Sequence, residues 1–130
     1  MRTFQVTLKI LAIAIFAIAA IHVVFGVSSE LFLGAAISDS SLNDANLDSQ
    51  NRFYGAIFAL VGAMLWLTSQ DPKKYEHVFL VTLMVFTVGG LTRLLSVAIV
   101  GWPTPIVVFL SVVEILGPPL MYLWWRRLGE

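Results

Sequence analysis

The sequence predicts an all-α fold, a four-helix transmembrane bundle with both termini on the inner side and a 24-residue outer loop between helices 1 and 2. Three observations predict it. Hydrophobic residues make up 58% of the 130-residue chain and charged residues only 12%, where a soluble domain carries about 45–50% and about 25%; mean hydropathy is +0.88. The apolar residues gather into four stretches near the length of about 20 that a membrane-crossing helix needs. Lys and Arg lie beside one set of span ends, as the positive-inside rule requires of a multi-pass protein. A single integral membrane domain over residues 1–130 is expected, with the lipid bilayer as its main partner. Eight basic and eight acidic residues cancel, so no basic face awaits a nucleic acid. The absence of cysteine excludes disulfides, thiol redox chemistry and cysteine-ligated metal.

The first span covers about residues 6–27. Its layout also resembles a signal peptide, with Arg2 and Lys9 before an apolar stretch and the small residues Gly26 and Ser28 after it. The stretch is longer than a signal core, so a retained span is expected. The outer loop, 28–51, follows. Its first part, 30–37, is apolar enough for a short helix lying on the interface or folding back over the bundle mouth; 38–50 has the composition of a solvated loop. The second span covers about 53–68, with Asp48 or Ser49 as candidate N-caps. The third covers about 78–100 after Asp71-Pro72, an N-cap followed by a proline at the first helical position. The fourth covers about 105–125 after the same signal in Thr104-Pro105. Gly101-Trp102-Pro103 is a tight connection that makes spans 3 and 4 an antiparallel hairpin.

Orientation follows from six cations against one. Arg2, Lys9, Lys73, Lys74, Arg126 and Arg127 fall on one side and Arg52 on the other, which puts both termini and the 2–3 loop in the cytoplasm. Trp66, Tyr75, Trp124 and Trp125 fit the inner boundary, and Tyr54 and Trp102 the outer one.

Each span carries one ionisable residue in or near its outer half: His22, Arg52, Arg93 and Glu114. A charge near the bilayer centre costs roughly 2.5–3.5 kcal/mol, so two of them need a reason to be there. Arg93 lies about nine residues before the turn at Trp102 and Glu114 about twelve after it; at ~1.5 Å per residue their depths match within a few ångströms. They are expected to form a buried ion pair. Ala12, Ala19, His22 and Gly26 share one helical face, as do Arg52, Gly55, Ala59 and Gly62. Gly89, Gly90, Arg93 and Ser96 cluster on span 3, and Leu110, Ser111, Glu114 and Gly117 on span 4. Small residues at such spacings let membrane helices approach closely, so the polar side chains should point into the bundle. Pro118 frees the Glu114 carbonyl from its helical partner, which suggests a kink with a pocket or a water-filled site beside it.

Four motifs carry a resemblance. Asn51-Arg52-Phe53-Tyr54-Gly55, the stretch from Gly89 to Ser96 reading Gly-Gly-Leu-Thr-Arg-Leu-Leu-Ser, Gly101-Trp102-Pro103 and the later Glu114 resemble, in order over nearly the whole chain, the small bacterial four-span proteins catalogued as domain of unknown function 4345. That family looks distantly similar to four-helix membrane proteins of the DoxX type. The resemblance implies a bacterial inner-membrane protein with Arg52, Arg93 and Glu114 at motif positions; it brings no activity.

The residues support one leading reading: a binding or transport module whose outer-half polar pocket, lined by His22, Asn51, Arg52, Arg93, Ser96 and Glu114, holds a small amphipathic or anionic molecule. Gly55, Gly89, Gly90 and Pro118 serve helix packing and the kink. Two alternatives stand beside it. One is an enzyme on a lipid-like substrate with His22 or Glu114 as general acid/base; the other is an accessory subunit of a larger membrane complex, or a homo-oligomer. For Arg93 and Glu114 the plain alternative is a pair that fixes helix register, for His22 a hydrogen-bonded packing role, and for Arg52 snorkelling to the interface. No metal or cofactor is implied. His22 and His77 lie at opposite depths, unsuited to a shared haem, and zinc lacks a close ligand set. The acidic outer loop reflects topology. No Gly-x-Ser-x-Gly nucleophile motif occurs, and Gly89-Gly90 lacks the strand-turn-helix setting of a nucleotide loop.

Overall fold

The computed structural model describes residues 1–129. The chain runs through α1 (Arg2–Phe25), a 3₁₀ helix (Gly26–Leu33), α2 (Asp39–Leu42), α3 (Ala45–Gln70), α4 (Glu76–Val100) and α5 (Pro105–Gly129). Four helical stretches are long and apolar enough to cross a membrane: α1 with its 3₁₀ extension, α3, α4 and α5. No strand occurs among the described residues.

The helices pair in chain order. α1 packs along α3, α4 along α5, and α3 meets α4. Glycines explain the closeness of the first pair. A Cβ on Gly55 would stand 2.7 Å from the Cβ of His22 and 3.0 Å from the Ala19 carbonyl oxygen, and one on Gly62 would stand 3.3 Å from the Ala12 carbonyl oxygen. Backbone meets backbone there, the approach that small residues permit in membranes. Gly90 does the same for the second pair, against Ile115 and the backbone of Glu114. Gly89 and Gly117 face open space, so only one of the two adjacent glycines on α4 serves packing, and the expectation for Gly89 fails. Adjacent residues point about a quarter-turn apart on a helix, and only one can face a neighbour.

Several boundaries differ from the sequence reading. α1 ends at Phe25, and Gly26 takes φ 56° as its C-cap, a conformation open to glycine at little cost. α3 begins at Ala45, well before the apolar span, because Asp44 rather than Asp48 or Ser49 caps it, accepting from the amides of Asn46 (2.8 Å) and Leu47 (3.1 Å). Asp71-Pro72 forms a turn and not the first residues of α4: the Asp71 carboxylate accepts from the Lys74 amide at 3.1 Å, and helix starts at Glu76. Pro105 does open α5, and Pro118 and Pro119 lie within it without ending it.

The core sits at one end. Phe4, Leu8, Ala12, Ile15, Val61, Leu65, Phe79, Leu83 and Trp125 form one buried cluster. Phe4 meets Phe79 and Trp124 edge-on at 5.5 and 5.2 Å and stacks on Trp125 at 5.7 Å. Trp125 is therefore a core residue and not a lipid-facing interfacial anchor. Its indole N–H points to Glu76 at 3.4 Å, and the Gln5 amide donates to the Gln70 carbonyl at 3.3 Å. These contacts bring the N-terminus, the α3–α4 turn and the end of α5 together, so the six cations counted from the sequence gather at this end. At the other end α4 buries nothing beyond Gly90 and α5 nothing before Ser111, and Ile99, Val100 and Trp102 are among the most exposed apolar residues.

Candidate functional site

The apolar part of the outer loop becomes a strap. The 3₁₀ helix continues from α1 and ends at Gly34, whose φ of 78° turns the chain. Thr104, in the α4–α5 connection, donates its hydroxyl to the Leu33 carbonyl at 2.7 Å. The segment thus runs from the C-terminal end of α1 to the α4–α5 connection. A 3₁₀ helix suits a short connecting piece.

Consecutive residues of α3 hold this strap down. Asn51 donates to the Glu30 carboxylate at 3.0 Å and accepts from the Ser29 hydroxyl at 3.1 Å. Arg52 spreads its guanidinium over two tasks. Nη1 donates to the carbonyls of Val23 and Val24 at 2.7 and 2.9 Å, the unsatisfied acceptors at the end of α1. Nε donates to Asp48 at 2.7 Å, and Asp48 in turn accepts from the Val27 amide at 3.2 Å. The cation and the helix's C-terminal dipole attract one another. Arg52 is thus a tether between helices, with more to do than snorkel.

Arg93 and Glu114 meet as the hairpin geometry predicts. Nε and Nη2 donate to the two carboxylate oxygens at 2.5 and 3.0 Å, the bidentate fork that Arg offers and Lys cannot. Both residues lie on inward stripes. Arg93 follows Phe79, Leu83, Phe86 and Gly90 at helical spacing, and Glu114 aligns with Ser111, Pro118 and Trp125. The pair is nevertheless not buried, which corrects the sequence expectation: the Arg93 side chain is 39% exposed and that of Glu114 15%. The reason is local. Outside the Gly90 crossing the α4–α5 hairpin has little packed against it, so inward-pointing groups still meet open space. Nη1 of Arg93 makes no hydrogen bond among the described residues.

His22 belongs to the strap side of this arrangement. Its Nδ1 bonds the Ile18 carbonyl at 2.9 Å; a carbonyl only accepts, so Nδ1 carries the proton and Nε2 presents its lone pair when the ring is neutral. Nε2 faces Glu30 at 3.7 Å, too far for a hydrogen bond and attractive only once the ring is charged. His22, Glu30, Ser29 and Asn51 thus form one polar cluster drawn from α1, the strap and α3, and Arg93 with Glu114 forms a second on α4 and α5.

Ser96, one turn beyond Arg93, is exposed and contributes no hydrogen bond among the described residues. Gly55 sets the approach of His22 to α3. Glu30 and Ser29 were not singled out from the sequence as site residues, though their position directly after an apolar span marks them as the first groups able to fold back on it.

Pro118 helps line a space, but not a polar one. A cavity of about 90 Å³ lies among the four long helices, bounded by residues such as Leu11, Leu65, Phe86, Val113, Gly117 and Pro118. Every residue around it is apolar. No group of three or more His, Asp or Glu residues able to hold a metal ion occurs among the described residues.

Compared with known proteins, the chain matches the model of one family, described as Domain of unknown function (DUF4345), over residues 3–125. No curated protein and no solved structure matches it.

Proposed function

The chain belongs to the family described as domain of unknown function 4345, and we propose that it is a membrane-embedded binding module for a small amphipathic molecule, bound at Arg93 and Glu114 beneath the strap. One observation carries this reading. An arginine held at the depth of a membrane span, on an inward stripe, is only partly enclosed by its own protein, and its Nη1 has no partner among the described residues. A charged donor in that setting gains from any acceptor brought to it. A pair serving only helix register would be closed off on all sides.

The setting supports the same reading. Both termini face the cytoplasm in this proposal, on the positive-inside argument, in the inner membrane of a bacterium as the four-motif resemblance implies. The site then opens toward the outer leaflet. Glu30, Asn51 and His22 form a second polar cluster at the same end of the bundle.

The test replaces the pair by matched apolar residues, Arg93→Met with Glu114→Leu. Removing both charges avoids the cost of stranding either one, and such exchanges are often neutral in stability. Protein extracted in mild detergent is examined by native mass spectrometry for small molecules that remain bound. Wild type should retain a species that the double variant loses, with the thermal midpoints of the two close together. An identical bound complement in both proteins would refute the reading.

A further inference from the structure

The two ends of the bundle treat their basic residues differently. At the end that carries the strap, Arg52 and Arg93 each meet a carboxylate, Asp48 and Glu114. At the aromatic end six basic residues stand against two acidic ones, Asp71 and Glu76, among the described residues. Both of those carboxylates are engaged elsewhere. Asp71 accepts from the backbone amide of Lys74 at 3.1 Å, and Glu76 from the Trp125 indole at 3.4 Å. Among the described residues, Arg2, Lys9, Lys73, Lys74 and Arg127 form no ion pair.

The fold gathers these cations. The Gln5 side chain on the Gln70 carbonyl ties the start of α1 to the end of α3, and the Trp125 indole on Glu76 ties the end of α5 to the start of α4. Arg2 lies three residues before Gln5, Lys73 three after Gln70 and Arg127 two after Trp125. Each is therefore within about one helical turn of a contact that joins two elements. Segments far apart in sequence thus deliver exposed charge of one sign to one edge of the bundle. Like charges gathered in this way repel one another, and an anion among them removes that cost.

What lies beneath the cations decides which anion fits. Trp66 is four residues before Gln70 and Tyr122 five before Arg127, and they are 42% and 40% exposed, as rings at a membrane boundary are. Lys9 is seven residues along α1 from Arg2 and half-buried; it starts about 10 Å deeper and reaches the same boundary by snorkelling. Exposed apolar side chains such as Ile10, Ile13 and Leu67 follow directly. An acidic protein or a nucleic acid would meet the charges and leave the rings and the apolar surface uncovered. A phospholipid covers all three, with its phosphate among the cations, its glycerol region at the rings and its chains along the helices.

We infer that the aromatic end of the bundle is a docking surface for anionic phospholipids, selected over zwitterionic ones through Arg2, Lys73, Lys74 and Arg127. A zwitterionic head carries its own ammonium group, which these cations repel. A phosphodiester with an uncharged head brings only the negative charge. Arg93 and Glu114 take no part, so the selection holds whatever the opposite end binds.

The experiment uses the full chain with Trp102→Phe, which leaves Trp66, Trp124 and Trp125 as reporters at the aromatic end. The protein is placed in phosphatidylcholine vesicles that contain either phosphatidylglycerol or further phosphatidylcholine with the same brominated chains, and quenching of tryptophan fluorescence gives the relative association of the two lipids. Phosphatidylglycerol should be favoured about threefold or more at low salt, since each basic residue near a membrane surface adds to the attraction. The preference should fall toward unity at about 1 M salt, where the Debye length is ~3 Å. Lys73→Gln with Lys74→Gln and Arg127→Gln changes only exposed side chains and should at least halve the preference with the thermal midpoint unchanged. Equal association of the two lipids with the parent protein overturns the inference. So does a preference that survives high salt or persists undiminished in the triple variant. Stronger displacement by inorganic phosphate than by chloride of equal ionic strength reveals a site for the free anion, and overturns a lipid surface.

Discussion

The two ends of this bundle, inner and outer in the orientation proposed above, are held by different forces. Inside, Phe4, Phe79, Trp124 and Trp125 interlock around a fully enclosed Phe4, and polar contacts only fringe the cluster. Outside, packing thins, and the order comes from hydrogen bonds: Asn51 to the strap, Arg52 to the end of α1, Thr104 to Leu33, Arg93 to Glu114. Lipid tails are as apolar as Leu, so in a membrane close packing and hydrogen bonding have to supply the specificity that water supplies elsewhere. The binding module proposed above would use that division, because elements that admit a ligand come from the less stable part of a structure.

The comparison fails first if the inner cluster proves dispensable. Phe4→Ala deletes a ring with no exposed surface and should cost about 3–5 kcal/mol, the range for large-to-small core changes. Unfolding of purified protein by titrated denaturing detergent measures it. A loss comparable to that from changing an exposed apolar residue such as Ile99 would show that the aromatic end is not the anchor. Next in size is the α1–α3 seam. Gly55→Leu places a Cβ 2.7 Å from His22 Cβ and 3.0 Å from a carbonyl oxygen, so the helices must separate, at about 1–3 kcal/mol. The same titration reads it.

Smaller still is the effect of releasing the strap. Asn51→Leu removes its bonds to Ser29 and Glu30, each worth about 1 kcal/mol. Hydrogen exchange should rise over residues 26–34 and stay unchanged around Leu65 and Leu83. A matching rise at the inner end would mean that the two ends unfold as one unit and that the division drawn here is wrong.

The sequence made some of this architecture plain and hid the rest for physical reasons. The Arg93–Glu114 pairing was legible because a short turn fixes the register of a hairpin, and register fixes depth. Its exposure was not, since depth says nothing about what packs alongside. Helix α3 begins earlier than its apolar span because a helix can start in water on an Asp cap, and hydropathy marks the membrane and not the helix. The strap's path depends on contacts such as Thr104 with Leu33, separated by 71 residues, which no local pattern encodes. Asn51 and Arg52 drew notice as polar residues at a span end, but their partners are largely backbone and loop groups whose positions the fold alone determines. Pro118 pointed to a space beside Glu114; the character of that space depended on residues from the other three helices, and they proved apolar.

The finest separation lies between two adjacent glycines. Gly89 meets nothing within 4 Å, whereas a Cβ on Gly90 would stand 2.6 Å from Ile115 Cγ1 and 3.2 Å from the carbonyl carbon of Glu114. Alanine at the first position should therefore stabilise the protein, because it removes backbone freedom from a helix interior without a clash, by roughly 0.5–1 kcal/mol. Alanine at the second should have the opposite sign, since it pushes α5 away from α4 one turn below Arg93. The displacement should also loosen the bidentate pair, so Gly90→Ala should weaken any retained amphiphile while Gly89→Ala leaves it bound. Equal signs from the two substitutions would place the α4–α5 contact elsewhere than at Gly90.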